Sequence, residues 1–136
     1  WDDRLASIRQ QEEHLARNGT VILKFWLNVS REEQKRRFIA RLDDPSKNWK
    51  FEPKDVVERR YWDSYMQAYE EALNATSTSS APWYAIPADD KPYMRARVAD
   101  IIIAALESIG LEYPAPSEKE RSKFAEARAE LESGSE

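Results

Sequence analysis

Residues 21–29, VILKFWLNV, run directly into residues 30–34, SREEQ, and this junction decides the fold. The first segment is an almost unbroken run of apolar, β-branched and aromatic residues, which is typical of a strand covered on both faces, as parallel strands in α/β sheets are. In the second segment Ser30 precedes Glu33 by three positions, a pattern that predicts a capping box at the start of a helix. The sequence therefore predicts a buried strand that leads at once into a helix ending near Leu42.

The other segments continue this alternation of helix and strand. The predicted elements are, in order, a helix ending at Asn18-Gly19, the strand of residues 21–29, the helix of residues 30–42, a loop over residues 43–53, a helix from about Lys54 to Leu73 with a wide buried face, a short strand at Trp83–Ile86, and a helix from Asp89-Asp90 to Gly110. A capping pattern at Ser117 and Glu120 predicts a last helix, which carries Phe124 and Leu131. The order favours an α/β layered fold with parallel strands, although two strands are fewer than the about five of a typical sheet.

Aromatic residues are frequent in the middle of the chain. At their spacing we expect them in the core rather than on a base-stacking surface. They are Trp49, Tyr61, Trp62, Tyr65 and Trp83.

Composition limits the classes of protein to which the chain can belong. It has 136 residues and no cysteine, so disulfide bonds and thiolate metal sites are excluded and a reducing compartment is expected. No segment approaches the roughly 20 apolar residues of a membrane span, and the first residues lack a signal-peptide pattern. We therefore expect a cytoplasmic protein without a membrane partner, with one globular unit over residues 1–114 and a charged helical tail over residues 115–136.

Charge is distributed unevenly along the chain. The net charge is -4, yet residues 31–60 contain ten Lys and Arg against seven Asp and Glu. A basic segment within an acidic chain favours a local anion site over a general nucleic-acid surface. A solvated helix face with mixed charges would explain the same composition.

The basic segment contains candidates for phosphate binding: Arg36, Arg37, Arg41, Lys47, Lys50 and Arg59. Arg37 and Arg41 are four positions apart, so they project from one face of the predicted helix, and Arg59 could return to the same opening from the next helix. Phosphoryl groups spread negative charge over their oxygens, and arginine offers paired donors to them. Alternatively, Arg37 or Arg41 forms an ion pair with Glu33, Asp43 or Asp44.

Acidic residues and glycines give weaker signals. Helix capping accounts for Asp55, Asp89 or Asp90 without a metal, and the spacing of the aspartates does not fit an EF-hand. The three glycines do not form the G-x-x-x-x-G-K-[ST] loop that cradles nucleotide phosphates. The residues in themselves therefore predict no metal ligand and no phosphate-binding loop in this chain.

Seven segments in this order resemble the family-2 polyphosphate kinases. They are LKFWL (23–27), SREEQ (30–34), RFIARLDDP (37–45), KNWKF (47–51), ERRYWD (58–63), APWY (81–84) and PADDK (87–91). The likeness extends over about residues 1–112 without a large insertion. It implies a P-loop kinase-like, three-layer α/β/α fold, of which this chain would hold only the C-terminal strands, the helices and a lid at about residues 36–60.

The resemblance also implies a reaction. It is the transfer of phosphate between inorganic polyphosphate and a nucleoside mono- or diphosphate, with Mg²⁺ as cofactor. The lid residues Arg37, Arg41, Lys47, Lys50 and Arg59 match basic positions of the family, and Asp89-Asp90-Lys91 matches the loop after its last strand. Among these residues we infer catalytic roles for Arg37, Arg41 and Arg59, and substrate binding by Lys47, Lys50, Asp89, Asp90 and Lys91. The phosphate-binding loop of the family lies upstream of the matching segments, so we expect the isolated chain to be inactive and to pair with an N-terminal half or with itself.

Two other functions fit the sequence. One is a fragment of a nucleotide kinase that uses ATP as its only donor, and the other is a non-catalytic module that binds polyphosphate or a partner protein. The sequence does not choose between AMP and ADP as acceptor, nor does it determine the oligomeric state.

Overall fold

The computed structural model describes residues 1–134. Six α-helices and two strands lie within them, in the order α1 Asp2–Arg17, β1 Lys24–Asn28, α2 Arg31–Leu42, α3 Pro53–Glu58, α4 Trp62–Thr76, β2 Trp83–Pro87, α5 Lys91–Ile109 and α6 Glu118–Glu132. Single 3₁₀ turns lie at Asn48–Lys50 and Arg59–Tyr61. The predicted alternation of helix and strand is confirmed, and the chain has a mixed α/β fold.

Strands β1 and β2 form a two-stranded parallel sheet, as the sequence predicts. Lys24 lies opposite Trp83 at one end and Asn28 lies opposite Pro87 at the other. Parallel pairing needs a long crossover, and α2, α3 and α4 provide it. Because the strands run in the same direction, the loops that lead into α2 and α5 both begin at the carboxyl ends of the strands, on the same side of the sheet.

Strand β1 is shorter and less buried than the sequence predicts. It begins at Lys24 rather than at residue 21, and Leu27 keeps 44% of its surface exposed. The prediction of a strand buried on both faces is wrong for the described residues. The physical reason is that β1 has one neighbouring strand within residues 1–134, so fewer elements cover it than in a full sheet.

A polar cluster joins one face of the sheet to the helices that pack on it. Lys24 Nζ donates to Glu12 Oε2 on α1 at 2.7 Å and to the carbonyl oxygen of Thr76, at the end of α4, at 2.6 Å. Trp83 donates from Nε1 to Thr76 Oγ1 at 2.9 Å. Beside this cluster, the ring of Trp26 contacts that of Tyr69 on α4, with 5.9 Å between the ring centroids. These contacts fix α1 and α4 on the same side of the sheet.

The helix predicted from Lys54 to Leu73 is interrupted. Helix α3 ends at Glu58, a 3₁₀ turn follows, and α4 begins at Trp62. A continuous amphipathic helix would have presented the predicted wide apolar face to the sheet. After the break, Trp62 and Met66 are half-buried whereas Tyr61 and Tyr65 are exposed, so the buried face is narrower than expected.

The prediction that all five central aromatic residues belong to the core is also wrong. Trp49 is 77% exposed in the loop after α2, and only Trp62 and Trp83 of that set are half-buried. The buried apolar residues are Leu5, Ala81, Ile86 and Ala88. Three of these lie on β2 or next to its ends, so the core is centred on that strand.

The chain divides into two compact units, Trp1–Ile103 and a second one that begins at Ala104. In the second unit, α6 begins with the predicted capping box. Glu120 N–H donates to Ser117 Oγ, and Ser117 N–H donates to Glu120 Oε2. The domain boundary near residue 114 remains a prediction. None of the helices within residues 1–134 is both long and apolar enough to cross a membrane.

Candidate functional site

The start of α2 departs from the predicted capping box in one respect. Ser30 Oγ accepts from the N–H of Glu33 at 3.1 Å, as predicted, but the N–H of Ser30 donates to Asp89 Oδ1 at 2.7 Å. The carboxylate of Glu33 is therefore not the partner of Ser30. Asp89 takes its place because the loop after β2 lies beside the start of α2.

Glu33 binds two arginines instead. Its Oε1 accepts from Arg37 Nε and its Oε2 from Arg36 Nε, each at 2.6 Å. Glu33 is 8% exposed. Burial raises the pKa of Glu33, but the hydrogen bonds and charges of the two guanidinium groups outweigh it, so the net pKa is lowered. The alternative in which Arg37 pairs with Glu33 is thus what the structure shows.

Arg37 also connects α2 to the loop after β2. Its Nη2 donates to the carbonyl oxygens of Ala88, at 2.7 Å, and of Asp89, at 3.1 Å. The side chain keeps 29% of its surface exposed. Arg37 is therefore fixed beside the carboxyl ends of both parallel strands, which is where open α/β sheets bind ligands.

A cavity of about 380 Å³ opens beside Arg37. Its lining residues come from α2, from the loop after β2 and from the start of α5: Glu33, Arg36, Arg37, Ala40, Asp89, Asp90, Lys91 and Pro92. Four of the eight predicted site residues, Arg37, Asp89, Asp90 and Lys91, are among them. Three basic and three acidic side chains line the cavity, so the anion site expected from the basic segment carries acidic residues as well.

The two aspartates of this cavity, Asp89 and Asp90, accept hydrogen bonds from backbone N–H groups. Asp90 Oδ1 accepts from the N–H of Tyr93 at 2.9 Å and caps α5, as the sequence suggests. The N–H of Ser30 holds the pKa of Asp89 below its usual value, with a further contribution from the charges of Arg37 and Arg36. Within residues 1–134 no three acidic or histidine side chains gather into a possible metal site.

The predicted lid residues after Arg37 form a separate group. Arg41 Nη1 donates to the carbonyl oxygen of Lys50 at 3.4 Å, and Lys50 Nζ lies 4.9 Å from the ring centroid of Trp49. Lys47 forms an ion pair with Asp44. These three basic residues surround the loop after α2 and do not line the cavity beside Arg37.

Arg59 lies elsewhere again. Its Nη1 donates to the carbonyl oxygen of Arg31 at 2.7 Å and to Gln34 Oε1 at 2.9 Å. It lines a second cavity, of about 400 Å³, whose wall includes Trp26 of β1 and aromatic side chains of α4, among them Trp62. The predicted return of Arg59 to the opening beside Arg37 is therefore not seen.

Two charged residues of the cavity, Glu33 and Arg36, were not among the predicted site residues. Arg36 was a candidate for phosphate binding without an assigned role, and Glu33 was interpreted as a cap or as an ion-pair partner of Arg37. The spacing of Glu33 to Arg36 and Arg37, three and four positions along a helix, is a signal that could have revealed the cluster.

Comparisons of the sequence and of the structure with known proteins identify the same family. The family model of polyphosphate kinase 2 (PPK2) matches residues 1–114. A protein of Leptolyngbya boryana described as an uncharacterized protein in the chlN 3′ region is 53% identical, over 98% of either chain. The ADP-polyphosphate phosphotransferase of Rhodopseudomonas palustris is 47% identical over 96% of this chain and 45% of its own length.

A solved structure agrees with these sequence relatives. The crystal structure of polyphosphate kinase 2 from Arthrobacter aurescens TC1 matches with a TM-score of 0.82 and 45% identity, over 91% of this chain and 45% of that chain. The chain thus spans less than half the length of the Rhodopseudomonas and Arthrobacter proteins. On the family match and these similarities, the chain belongs to the polyphosphate kinase 2 family.

Proposed function

We propose that this chain is part of a kinase that transfers phosphate between inorganic polyphosphate and a nucleoside mono- or diphosphate. It would supply the polyphosphate-binding lid and part of the nucleotide site. The observation that carries the proposal is the placement of Arg37, which three neighbours hold where both parallel strands end and which shares a cavity with Arg36 and Lys91.

The names of the relatives support these substrate classes. The Rhodopseudomonas protein is named for ADP and polyphosphate, a relative from Meiothermus ruber for AMP and ADP, and one from Pseudomonas aeruginosa for GDP. The three have the polymer in common and differ in the nucleotide. We therefore assign polyphosphate to this chain and leave its acceptor open.

The proposed mechanism depends on position and charge. Catalysis of phosphoryl transfer consists almost entirely of holding the groups in line and stabilising the charge on the transferred oxygens. We give this role first to Arg37, with Arg41 and Arg59 as further catalytic candidates, and polymer binding to Lys47, Lys50 and Lys91. Asp89 and Asp90 would shape the site by capping α2 and α5. Lys47 and Arg59 would first have to leave Asp44 and Gln34.

A complete site would need more than these residues supply. We propose that the two strands belong to a P-loop kinase-like, three-layer sheet whose other strands, with the phosphate-binding loop, come from another chain or segment. Mg²⁺ would be held mainly by substrate phosphates, as is usual for this ion, and we assign it no ligand in this chain. Location in the cytoplasm stays a prediction.

The first test measures polyphosphate binding to the protein and to the double variant Arg37→Ala/Lys50→Ala. We expect the affinity of the double variant to be about tenfold lower at low salt, because charge-assisted hydrogen bonds are lost. The difference should shrink at higher salt, because screening weakens the contribution that Arg37 and Lys50 make in the unaltered protein. The control is Arg17→Ala. Arg17 is the last residue of α1, which precedes the first residue of β1, whereas Arg37 lies near the last residue of that strand. Equal affinity of the double variant and the control at low salt would contradict the lid assignment.

The second test measures turnover. The chain lacks backbone N–H groups wrapped around the donor phosphates, so we expect the pure protein to make no ATP from polyphosphate and ADP. Once the complementary part of the sheet is added, polyphosphate should serve as donor. Use of ATP alone would favour the ATP-dependent kinase instead, and polymer binding without turnover in the completed assembly would favour a non-catalytic module.

A further inference from the structure

Glu33 is the most enclosed charged residue of the cavity, and the proposed chemistry gives it no part. It is 8% exposed, and both carboxylate oxygens are occupied by arginine N–H groups. Neither arginine is enclosed to the same degree, since the Arg37 side chain is 29% exposed and that of Arg36 is 76% exposed. The carboxylate thus lies beneath two guanidinium groups that face the cavity.

We propose that Glu33 is a positioning residue, which holds Arg36 and Arg37 in the orientation that polyphosphate requires. The inference rests on the proposed function, because it concerns the same cavity. An unrestrained arginine loses considerable side-chain entropy when it is immobilised on a ligand. A carboxylate that already fixes Nε removes much of that cost before the polymer arrives.

The hydrogen bonds of Arg37 leave a suitable group free for the polymer. Nε is used by Glu33, and Nη2 by the carbonyl oxygens of Ala88 and Asp89. In the described residues Nη1 has no hydrogen-bond partner. The restraint therefore acts along one edge of the planar guanidinium group and leaves the N–H donors of Nη1, at another edge, for phosphate oxygens.

The competing role for Glu33 is that of a simple counter-ion. In that case its negative charge would only weaken the attraction between the arginines and a polyanion. The two roles predict opposite signs for Glu33→Gln, a change that keeps the shape and removes the charge. Removal of a counter-ion strengthens polyphosphate binding, whereas removal of a positioning residue weakens it.

The chain offers a matched control in Glu32. It precedes Glu33 on α2, is exposed, and lies outside the cavity beside Arg37. Glu32→Gln makes the same change in net charge without touching either arginine. We expect this control to bind polyphosphate within about twofold of the unaltered protein, slightly tighter. Glu33→Gln should bind about tenfold more weakly.

A spectroscopic measurement on the unaltered protein tests the restraint directly. A carboxylate-bound Nε–H group exchanges with water slowly, so the Arg37 Nε–H signal should persist in nuclear magnetic resonance spectra before polymer is added. The signal of Arg95, an exposed arginine without a hydrogen bond in the described residues, should exchange fast. The Arg37 signal should be lost in Glu33→Gln and kept in Glu32→Gln. This readout remains informative even if Glu33→Gln folds poorly, because it begins with the unaltered protein.

The outcomes separate this inference from the function on which it rests. Failure of the unaltered protein to bind polyphosphate would contradict the proposed function. Normal polymer binding together with unchanged or tighter binding by Glu33→Gln would overturn the positioning role alone. Fast exchange of the Arg37 Nε–H in the unaltered protein would overturn it as well.

Discussion

Arg37 and Arg59 show how differently two arginines of one basic segment can be held. Arg37 is bound by a carboxylate and by two carbonyl oxygens from a loop about fifty positions later, so its place depends on the sheet. Arg59 is bound by a carbonyl and an amide oxygen of α2. At the scale of single residues, partners rather than charge decide which cation faces the candidate site.

A second residue-scale feature is the turn after α2, where Asp44 accepts from Lys47 and Ser46. The hydrogen bond from Lys47 lowers the pKa of Asp44 from 3.8 to about 2, with a smaller contribution from Ser46. A carboxyl group whose pKa is lower in the folded state stabilises that state while it is ionised. The contribution is therefore present above about pH 4 and is lost as the pH falls towards about 2.

This gives a prediction for the pH dependence of stability. As the pH is lowered from about 4 to about 2, the melting temperature of both proteins should fall. The fall should be about 2 °C smaller for Asp44→Asn than for the unaltered protein. The neighbouring change Asp43→Asn is the control, because no ion pair is found for Asp43 in the described residues. Thermal unfolding followed by circular dichroism would check this. Parallel curves for the Asp44 variant and the unaltered protein would contradict it.

At the scale of elements, the two strand-to-helix junctions are joined to each other. Asp89, which follows β2, accepts a hydrogen bond from the N–H of Ser30, the residue before α2. In return Arg37, on α2, donates to the carbonyl oxygens of Ala88 and Asp89, which follow β2. The two junctions thus exchange hydrogen bonds in both directions. Since the candidate cavity lies between them, its shape depends on both helices starting at the right residue.

The break between α3 and α4 is the second element-scale feature. Arg59 lies in the 3₁₀ turn at the break and donates to Arg31 and Gln34, which connects the turn to the start of α2. Arg59→Ala should loosen this connection, so the backbone amides of residues 54–61 should exchange with solvent about tenfold faster. Hydrogen exchange followed by mass spectrometry would measure the change.

The control for this prediction is the adjacent Arg60→Ala. Arg60 is exposed, and no hydrogen bond is found for it in the part of the chain that the structure describes. Both variants lose one positive charge and one long side chain at the same turn. Equal exchange rates in the two variants would show that the hydrogen bonds of Arg59 do not hold the turn.

At the scale of the whole molecule, one edge of strand β1 has no partner strand within residues 1–134. Lys24 N–H donates to the carbonyl oxygen of Pro82, and Asn28 accepts from the N–H of Ala88, so these residues face β2. Backbone groups of alternate residues point to opposite edges of a strand, and those of Phe25 and Leu27 therefore face away from β2. An open edge of this kind is a place where another strand can pair.

We predict that in the pure protein a second copy of the chain covers this edge. The pure protein should then sediment above its own mass of 15.9 kDa. The amides of Phe25 and Leu27 should be protected from exchange to the same extent as those of Trp26 and Asn28, which serve as internal controls. A monomer in which only Trp26 and Asn28 are protected would show that the edge is free and that the prediction of self-pairing is wrong.

Local contacts were predictable from the sequence by itself. The caps at Ser30, Asp90 and Ser117 each join residues three positions apart, so spacing and residue type are sufficient to predict them. The same is true of the alternation of helix and strand, since periodicity reports it directly. The clustering of basic residues was equally visible.

Only the tertiary structure decided which of these residues meet. Ser30 N–H binds Asp89, 59 positions away, and this leaves Glu33 to bind Arg36 and Arg37 rather than the backbone. Both capping partners for Ser30 are carboxylates, and nothing local to α2 distinguishes them. The choice follows from the parallel pairing of β1 with β2, which brings the loop after β2 to the start of α2 and so determines which arginines face the cavity.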